Sequence, residues 1–248
     1  RQNLASRPVG NPFYRPGADR ASGVRELFGR IASRYDLIND VQSLGLHRYW
    51  KRRLVRLAAP IKGCRALDLC CGTGDVALTL ARRGAQVVGL DFSQAMLEVA
   101  RRRQATTGEA SRRLVFVHGD ALRLPFADES FDVVTISYGL RNLASVGEGL
   151  REMWRVARPG GRLLILDFGK PEQPFWRAAY FAYLRGLVPL FGRVFAGNKQ
   201  AYAYILESLE HYPAQRGVDR LLSELPTARR EILDLLGGMM SINVAEKA

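Results

Sequence analysis

The chain has 248 residues, 47% of them apolar, and a formal charge of +13. That length buries one substantial core and excludes a second full domain, so one domain with an N-terminal extension is expected. Residues 1–66 hold 14 Lys/Arg against 4 Asp/Glu, a basic stretch that can meet nucleic-acid phosphates or an anionic membrane surface, or simply stay solvated.

Residues 1–22, with Pro8, Pro12 and Pro16, read as a flexible basic tail. Residues 23–60 carry apolar side chains at helical spacing, first Val24, Leu27, Phe28 and Ile31, then over 35–41 and 49–57, and form a helical arm able to fold over a site as a lid. After Pro60 the rhythm becomes alternating β and α through 61–248. Strands are expected at 65–69, 86–90, 114–118, 132–137 and 162–167, with helices at 75–83, 94–104 and 146–157. Short strands separated by such helices require right-handed crossovers, hence a doubly wound, mostly parallel sheet with helices on both faces. Two final apolar runs, 231–236 and 239–244, flank Gly237-Gly238 and predict an antiparallel hairpin at the sheet edge.

Cys64, Cys70 and Cys71 have neither a metal-ligand spacing nor a disulfide framework, so they are read as small buried residues in a reducing cytoplasm, and no metal is expected. No signal-peptide core heads the sequence. The longest apolar run, 175–195, contains Arg177, Arg185, Arg193 and Pro189 and is not expected to span a bilayer.

The most informative segment is Ala66-Leu-Asp-Leu-Cys-Cys-Gly-Thr-Gly-Asp75, an apolar strand running into a glycine turn, followed by a second strand ending in Asp91. Gly72 and Gly74 accept positive φ and let backbone approach a ligand at a helix start. With Ala77 they also fit a dinucleotide fingerprint, in which Asp91 would bind a ribose. Asp68 favours another cofactor, because a carboxylate at the strand mouth repels a pyrophosphate but suits the ammonium and sulfonium of S-adenosylmethionine. Asp91, followed by Phe92, can accept from both ribose hydroxyls. Asp120 can accept from an adenine amino group, with Ala121 beside the ring; Thr73 and Ser137 offer small hydroxyls. Arg141 and Asn142 follow the fourth strand, where a guanidinium can stabilise an oxyanion. His47, with Tyr35 and Asp36 in the arm, is a candidate proton acceptor.

Several segments together resemble the UbiE/MenG quinone C-methyltransferases. These are residues 28–40 with Tyr35-Asp36-Leu-Ile-Asn39-Asp40, residues 43–51 with His47-Arg48-Tyr-Trp50-Lys51, the glycine loop, Leu124-Pro-Phe-Ala-Asp128, Tyr138-Gly-Leu-Arg141-Asn142, Arg158-Pro-Gly-Gly161 and Asp167-Phe-Gly-Lys-Pro171. The resemblance implies a class I S-adenosylmethionine-dependent methyltransferase fold of seven strands. It implies C-methylation of a prenylated quinol, demethylmenaquinol before a benzoquinol or a phytyl-naphthoquinol. Carried over by residue, donor contacts fall on Thr73, Asp91, Asp120, Ala121 and Ser137, with Arg141 and Asn142 facing the quinol. Asp167 and Gly169 stand where many members have Glu and Ser. A cytoplasmic enzyme, peripheral on the inner face of the membrane and able to form a homodimer, is the expected setting. An RNA-binding or RNA-methylating protein is the rival, disfavoured because no aromatic stacking motif and no Asn-Pro-Pro-Tyr type sequence is present.

Overall fold

The computed structural model describes Gly29, residues 35–195 and residues 207–248, with the side chains of Tyr35, Ile38, Val41, Gln42 and residues 187–195 left aside. The expected tail and nearly all of the first expected arm helix lie outside the described residues. The strands are β1 Arg65–Leu69, β2 Gln86–Asp91, β3 Leu114–His118, β4 Phe131–Ser137, β5 Ala157–Phe168, β6 Thr227–Leu235 and β7 Met240–Lys247. The helices are α1 Tyr35–Ser43, α2 Leu46–Ala58, α3 Asp75–Arg82, α4 Gln94–Ala105, α5 Val146–Val156, α6 Pro174–Phe195 and α7 Ala214–Ser223.

The strands form one sheet in the order β3-β2-β1-β4-β5-β7-β6. β1 to β5 pair in parallel, with Leu67 opposite Val88 on one side and Val134 on the other. β7 runs antiparallel to both β5 and β6, so the C-terminal hairpin closes one edge. Its turn needs left-handed backbone, which Gly237 (φ 63°) and Gly238 (φ 90°) adopt without a Cβ penalty. This is the class I methyltransferase fold.

Side chains alternate across a strand, and here both faces are covered. Leu67, Leu69, Val134, Ile136, Leu163 and Ile165 face α5, α6 and α7. Ala66, Val133, Leu164 and Leu166 face α2, α3 and α4. The arm helix α2 joins that second layer by burying Trp50, Leu54, Val55 and Ala58. Removing each of the larger three from water contributes about 1.5–3 kcal/mol, enough to hold the helix against the sheet. α2 begins earlier than its periodicity suggested because Gly45 turns left-handed (φ 76°) and frees Leu46 to start the next helix.

Strand order reverses between β1 and β4, with β2 and β3 to one side and β5 to the other. Loops leaving the carboxyl ends of β1 and β4 diverge there, and a crevice follows from topology alone. No helix among the described residues is long and apolar enough to cross a membrane.

Candidate active site

An open cleft occupies this crevice. Its wall includes Gly72, Asp91, Phe92, Asp120, Ala121, Ser137 and Asn142. Seven of the residues expected from sequence therefore come together, although they leave four different strands. Asp68, Thr73, Gly74 and Arg141 do not line it.

The glycine turn explains part of this difference. Cys70, Gly72 and Gly74 all have positive φ (49°, 53° and 84°), folding the chain sharply between β1 and α3. A Cβ at Gly74 would lie 2.8 Å from the Phe116 ring, so that position needs glycine for space as well as for conformation. Asp68 lies beneath the turn and is buried. Its carboxylate accepts from Thr135 Oγ1 (2.8 Å) and from the backbone N–H of Ala77 (3.1 Å), in the first turn of α3. Burial pushes its carboxyl up to about 7, against the bonds from Thr135 and Ala77 and the attraction of Lys51. Asp68 thus anchors the helix that carries the turn, instead of standing at the cleft mouth.

Asp91 is on the wall and fixed from below. One carboxylate oxygen accepts from Gly72 N–H and the other from Ser93 N–H, each at 2.8 Å. Burial raises its carboxyl, while those N–H groups pull it back down. Ser93 caps α4 by accepting from Met96 N–H. Asp120 is exposed at the rim and accepts from Leu122 N–H at 2.9 Å, closing an Asx turn that orients it. Ser137 Oγ is buried on the wall without a hydrogen-bond partner among the described residues. A buried hydroxyl in that condition is costly unless something entering the cleft bonds it. The wall also carries Leu90, Met96, Leu122 and Leu143, so apolar surface for a base lies beside oxygens suited to a ribose. These residues fit an adenosyl cofactor.

Cys70 also lies on the wall and is only half buried, unlike Cys64 and Cys71, so the sequence expectation of three buried thiols holds for two. Burial and nearby carboxylates push the Cys70 thiol well up, which keeps it protonated and unreactive.

Arg141 departs from expectation for a clear reason. Its Nη1 donates to Asp167 Oδ1 (2.7 Å) and to the Tyr138 carbonyl (2.8 Å), and its guanidinium stacks 4.6 Å from the Phe168 ring centroid. The pair is buried. Asn142 Nδ2 donates to the same Tyr138 carbonyl at 3.1 Å, and Asn142 is the member of the motif that lines the cleft.

His47 is buried in the arm, its Nδ1 2.9 Å from Ser43 Oγ and 3.7 Å from Asp40. Burial lowers it to about 4, helped by the Lys51 charge and opposed by Asp40 and Asp75. It is neutral near pH 7 and is not on the cleft wall. Asp36 accepts from Thr73 Oγ1 at 2.8 Å, turning the Thr73 hydroxyl toward the arm. The Tyr35 side chain lies outside the described residues.

Sequence reasoning overlooked Lys51, Asp75, Arg103 and Asp167. Lys51 stood within a recognised motif, but Arg103 is one of three consecutive arginines in α4 and reads as a solvated helix face. Its role depends on fold contacts with Asp36, Thr73 and Asp75, which lie 67, 30 and 28 positions away.

The chain matches the ubiE/COQ5 methyltransferase family over residues 17–247. It is 37% identical over 231 residues to a demethylmenaquinone methyltransferase of Desulfitobacterium hafniense (strain Y51), covering 91% of this chain and 90% of that one. It is 38% identical over 227 residues, with coverage of 91% and 90%, to the ubiquinone/menaquinone biosynthesis C-methyltransferase UbiE of Paracoccus denitrificans (strain Pd 1222). Among solved structures, magnesium protoporphyrin IX methyltransferase from Synechocystis PCC 6803 with bound SAH superposes with a TM-score of 0.66 at 19% identity, over 92% of this chain and all of that one. At that identity the likeness speaks to fold.

Proposed function

Because this chain belongs to the ubiE/COQ5 methyltransferase family and is an S-adenosylmethionine-dependent methyltransferase, we propose that it C-methylates a prenylated quinol, with demethylmenaquinol as the preferred acceptor. The observation carrying the reading is the cleft at the strand-order reversal, where Asp91, Asp120 and the orphaned Ser137 hydroxyl stand beside Asn142.

When bound, S-adenosylmethionine supplies an electrophilic methyl on a sulfonium. Asp91, held rigid by two backbone N–H groups, receives the ribose hydroxyls. Asp120 and Ala121 take the adenine, and Ser137 bonds the methionyl part. Asn142 presents its amide to a quinol oxygen. Arg141, committed to Asp167 and Tyr138, holds the 138–142 loop in place and is a positioning residue. The attacking ring carbon gains electron density as the phenolic proton leaves, from a group with a pKa of about 10 by analogy with tyrosine. That carbon bonds the methyl as the sulfur–methyl bond breaks, and loss of its own C–H proton, with reprotonation of the oxygen, restores the aromatic quinol. His47 is off the cleft wall and does not reach the phenolic proton, which passes to water in the open cleft. The enzyme works in the cytoplasm at the membrane surface, where Phe175 (84% exposed) and Trp176 at the start of α6 meet the lipid holding the substrate tail.

The test is transfer of labelled methyl from S-adenosylmethionine to reduced demethylmenaquinone and, in parallel, to a reduced demethylated benzoquinone. Transfer to the naphthoquinol at the higher rate, strongly reduced in Asn142→Ala, supports the reading. Donor binding without transfer to either quinol overturns it.

A further inference from the structure

Four charged side chains from four elements converge on the glycine turn. Asp75, the first residue of α3, receives Lys51 Nζ of α2 on one carboxylate oxygen at 2.8 Å and Arg103 Nη2 of α4 on the other. Arg103 Nη1 donates to Asp36 Oδ2 of α1, to the Thr73 carbonyl and to Thr73 Oγ1, each at 3.0 Å. Thr73 Oγ1 in turn donates to Asp36 Oδ1. The set holds two positive and two negative charges and is mostly shielded from water. Asp75 and Lys51 are 14% and 12% exposed, Asp36 and Arg103 27% and 33%. Despite burial, the Lys51 and Arg103 charges hold the Asp75 carboxyl below the ordinary range.

This arrangement exceeds what docking a helix on a sheet requires, since the apolar side of α2 already does that. The polar network is aimed at Thr73 and Asp75, in the glycine turn that follows directly on Gly72 of the cleft wall. A planar five-donor fork suits the task, because one guanidinium reaches two carboxylates and a carbonyl in a fixed geometry that an ammonium cannot reproduce.

We propose that Arg103 is a positioning residue for the methyl donor, joining the arm and the glycine turn into one cooperative unit so that donor binding and arm docking reinforce each other. The inference rests on the donor site proposed above. Coupling through a shared element is reciprocal: whatever factor the docked arm adds to donor affinity, the donor adds to arm docking. The unit includes Asp36 and Lys51 on the arm side and Thr73 and Asp75 on the side of the glycine turn. Breaking it at Arg103 leaves the β1–β4 sheet and its apolar layers untouched.

The experiment uses the full chain with S-adenosylhomocysteine as probe, following affinity by calorimetry and arm order by hydrogen exchange of peptides within 35–58. In the wild type the probe slows exchange across the arm. In Arg103→Met that slowing disappears, affinity falls about tenfold, and KM for the donor rises more than kcat falls, while exchange in β1 and β4 is unchanged. Asp36→Asn, which leaves Asp75 and Lys51 paired, shows the same direction of change more weakly. Combined with Arg103→Met it adds little, whereas two independent structural lesions would add. Arg103→Lys restores only part of the affinity. Wild-type affinity and intact probe-dependent slowing in Arg103→Met overturn the coupling. A wild type that binds the probe without any change in arm exchange also overturns it. No binding by the wild type overturns instead the donor site on which the inference stands.

Discussion

Arg141 and Asp167 form a buried ion pair, Nη1 to Oδ1 2.7 Å, in which Asp167 Oδ2 also accepts from the Arg141 backbone N–H at 3.2 Å. Two residues 26 positions apart thereby lock the loop after β4 to the end of β5. Taking one partner away strands the other charge without water. Asp167→Ala is expected to cost about 3–5 kcal/mol, whereas replacing both partners, Arg141→Met with Asp167→Leu, costs much less than the two single changes added together. Urea unfolding of the three variants measures this, and simple additivity would show that the pair is not coupled.

Asp68 makes stability fall with rising pH. Its carboxyl titrates near 7 in the fold against 3.8 when unfolded, so between those values the folded state holds the extra proton. The stabilisation is full below about 4 and is lost as pH rises through about 7, at up to about 1.4 kcal/mol per pH unit. Asp68→Asn, which keeps an oxygen to accept from Ala77 or Thr135, should remove that loss. Denaturant midpoints from pH 4 to 8 test it; an unchanged slope in the variant contradicts the assignment.

His47 acts with the opposite sign. A folded value of about 4 against 6.5 unfolded means that the unfolded chain binds the extra proton between them. Stability from this group is full above 6.5 and is lost as pH falls through about 4. The two groups partly cancel in the wild type over that window, so the His47 limb becomes visible in the Asp68→Asn background. Adding His47→Gln to that background should flatten the acid side; if stability still drops steeply toward pH 4, another buried group is responsible.

Gly139 is close to Cys70 because the cleft wall leaves no room between them. A Cβ at 139 would sit 2.4 Å from Cys70 Cβ, and Gly139 itself has negative φ, so the conflict is one of space. Gly139→Ala should destabilise by about 1–3 kcal/mol and weaken binding of S-adenosylhomocysteine by displacing the wall. Cys70→Gly removes the opposing Cβ and Sγ and suits the positive φ there, leaving the Ile136 Cγ1 contact at 3.1 Å, so the double variant should recover most of both properties. Failure of that recovery would place the damage elsewhere.

The parallel core was legible because local signals agreed. The limits expected for β1 and β3 match the observed ones, and those for α3, α4 and α5 end within one residue. β5 begins five residues before its apolar run, since Ala157 pairs with Phe131 across a register shift that no periodicity announces. α7 is not legible because its buried apolar face, with Val218 and Leu222, is carried by few residues among Gln215, Arg216, Asp219 and Arg220. Within the site, strand-end oxygens such as Asp91 and Ser137 were readable from alternation and turn position. Asp68 near the end of β1 and Arg141 in the loop after β4 invite the same reading, yet their side chains turn into the fold because Thr135 and Asp167 stand opposite them. Such pairings depend on register between distant strands.

Where the methyl goes separates C-methylation from O-methylation. Incubation of the full chain with isotope-labelled S-adenosylmethionine and reduced demethylmenaquinone, followed by nuclear magnetic resonance of the isolated product, should place the label on a quinol ring carbon. Label on a phenolic oxygen, or donor bound and turned over on neither naphthoquinol nor benzoquinol, would contradict it.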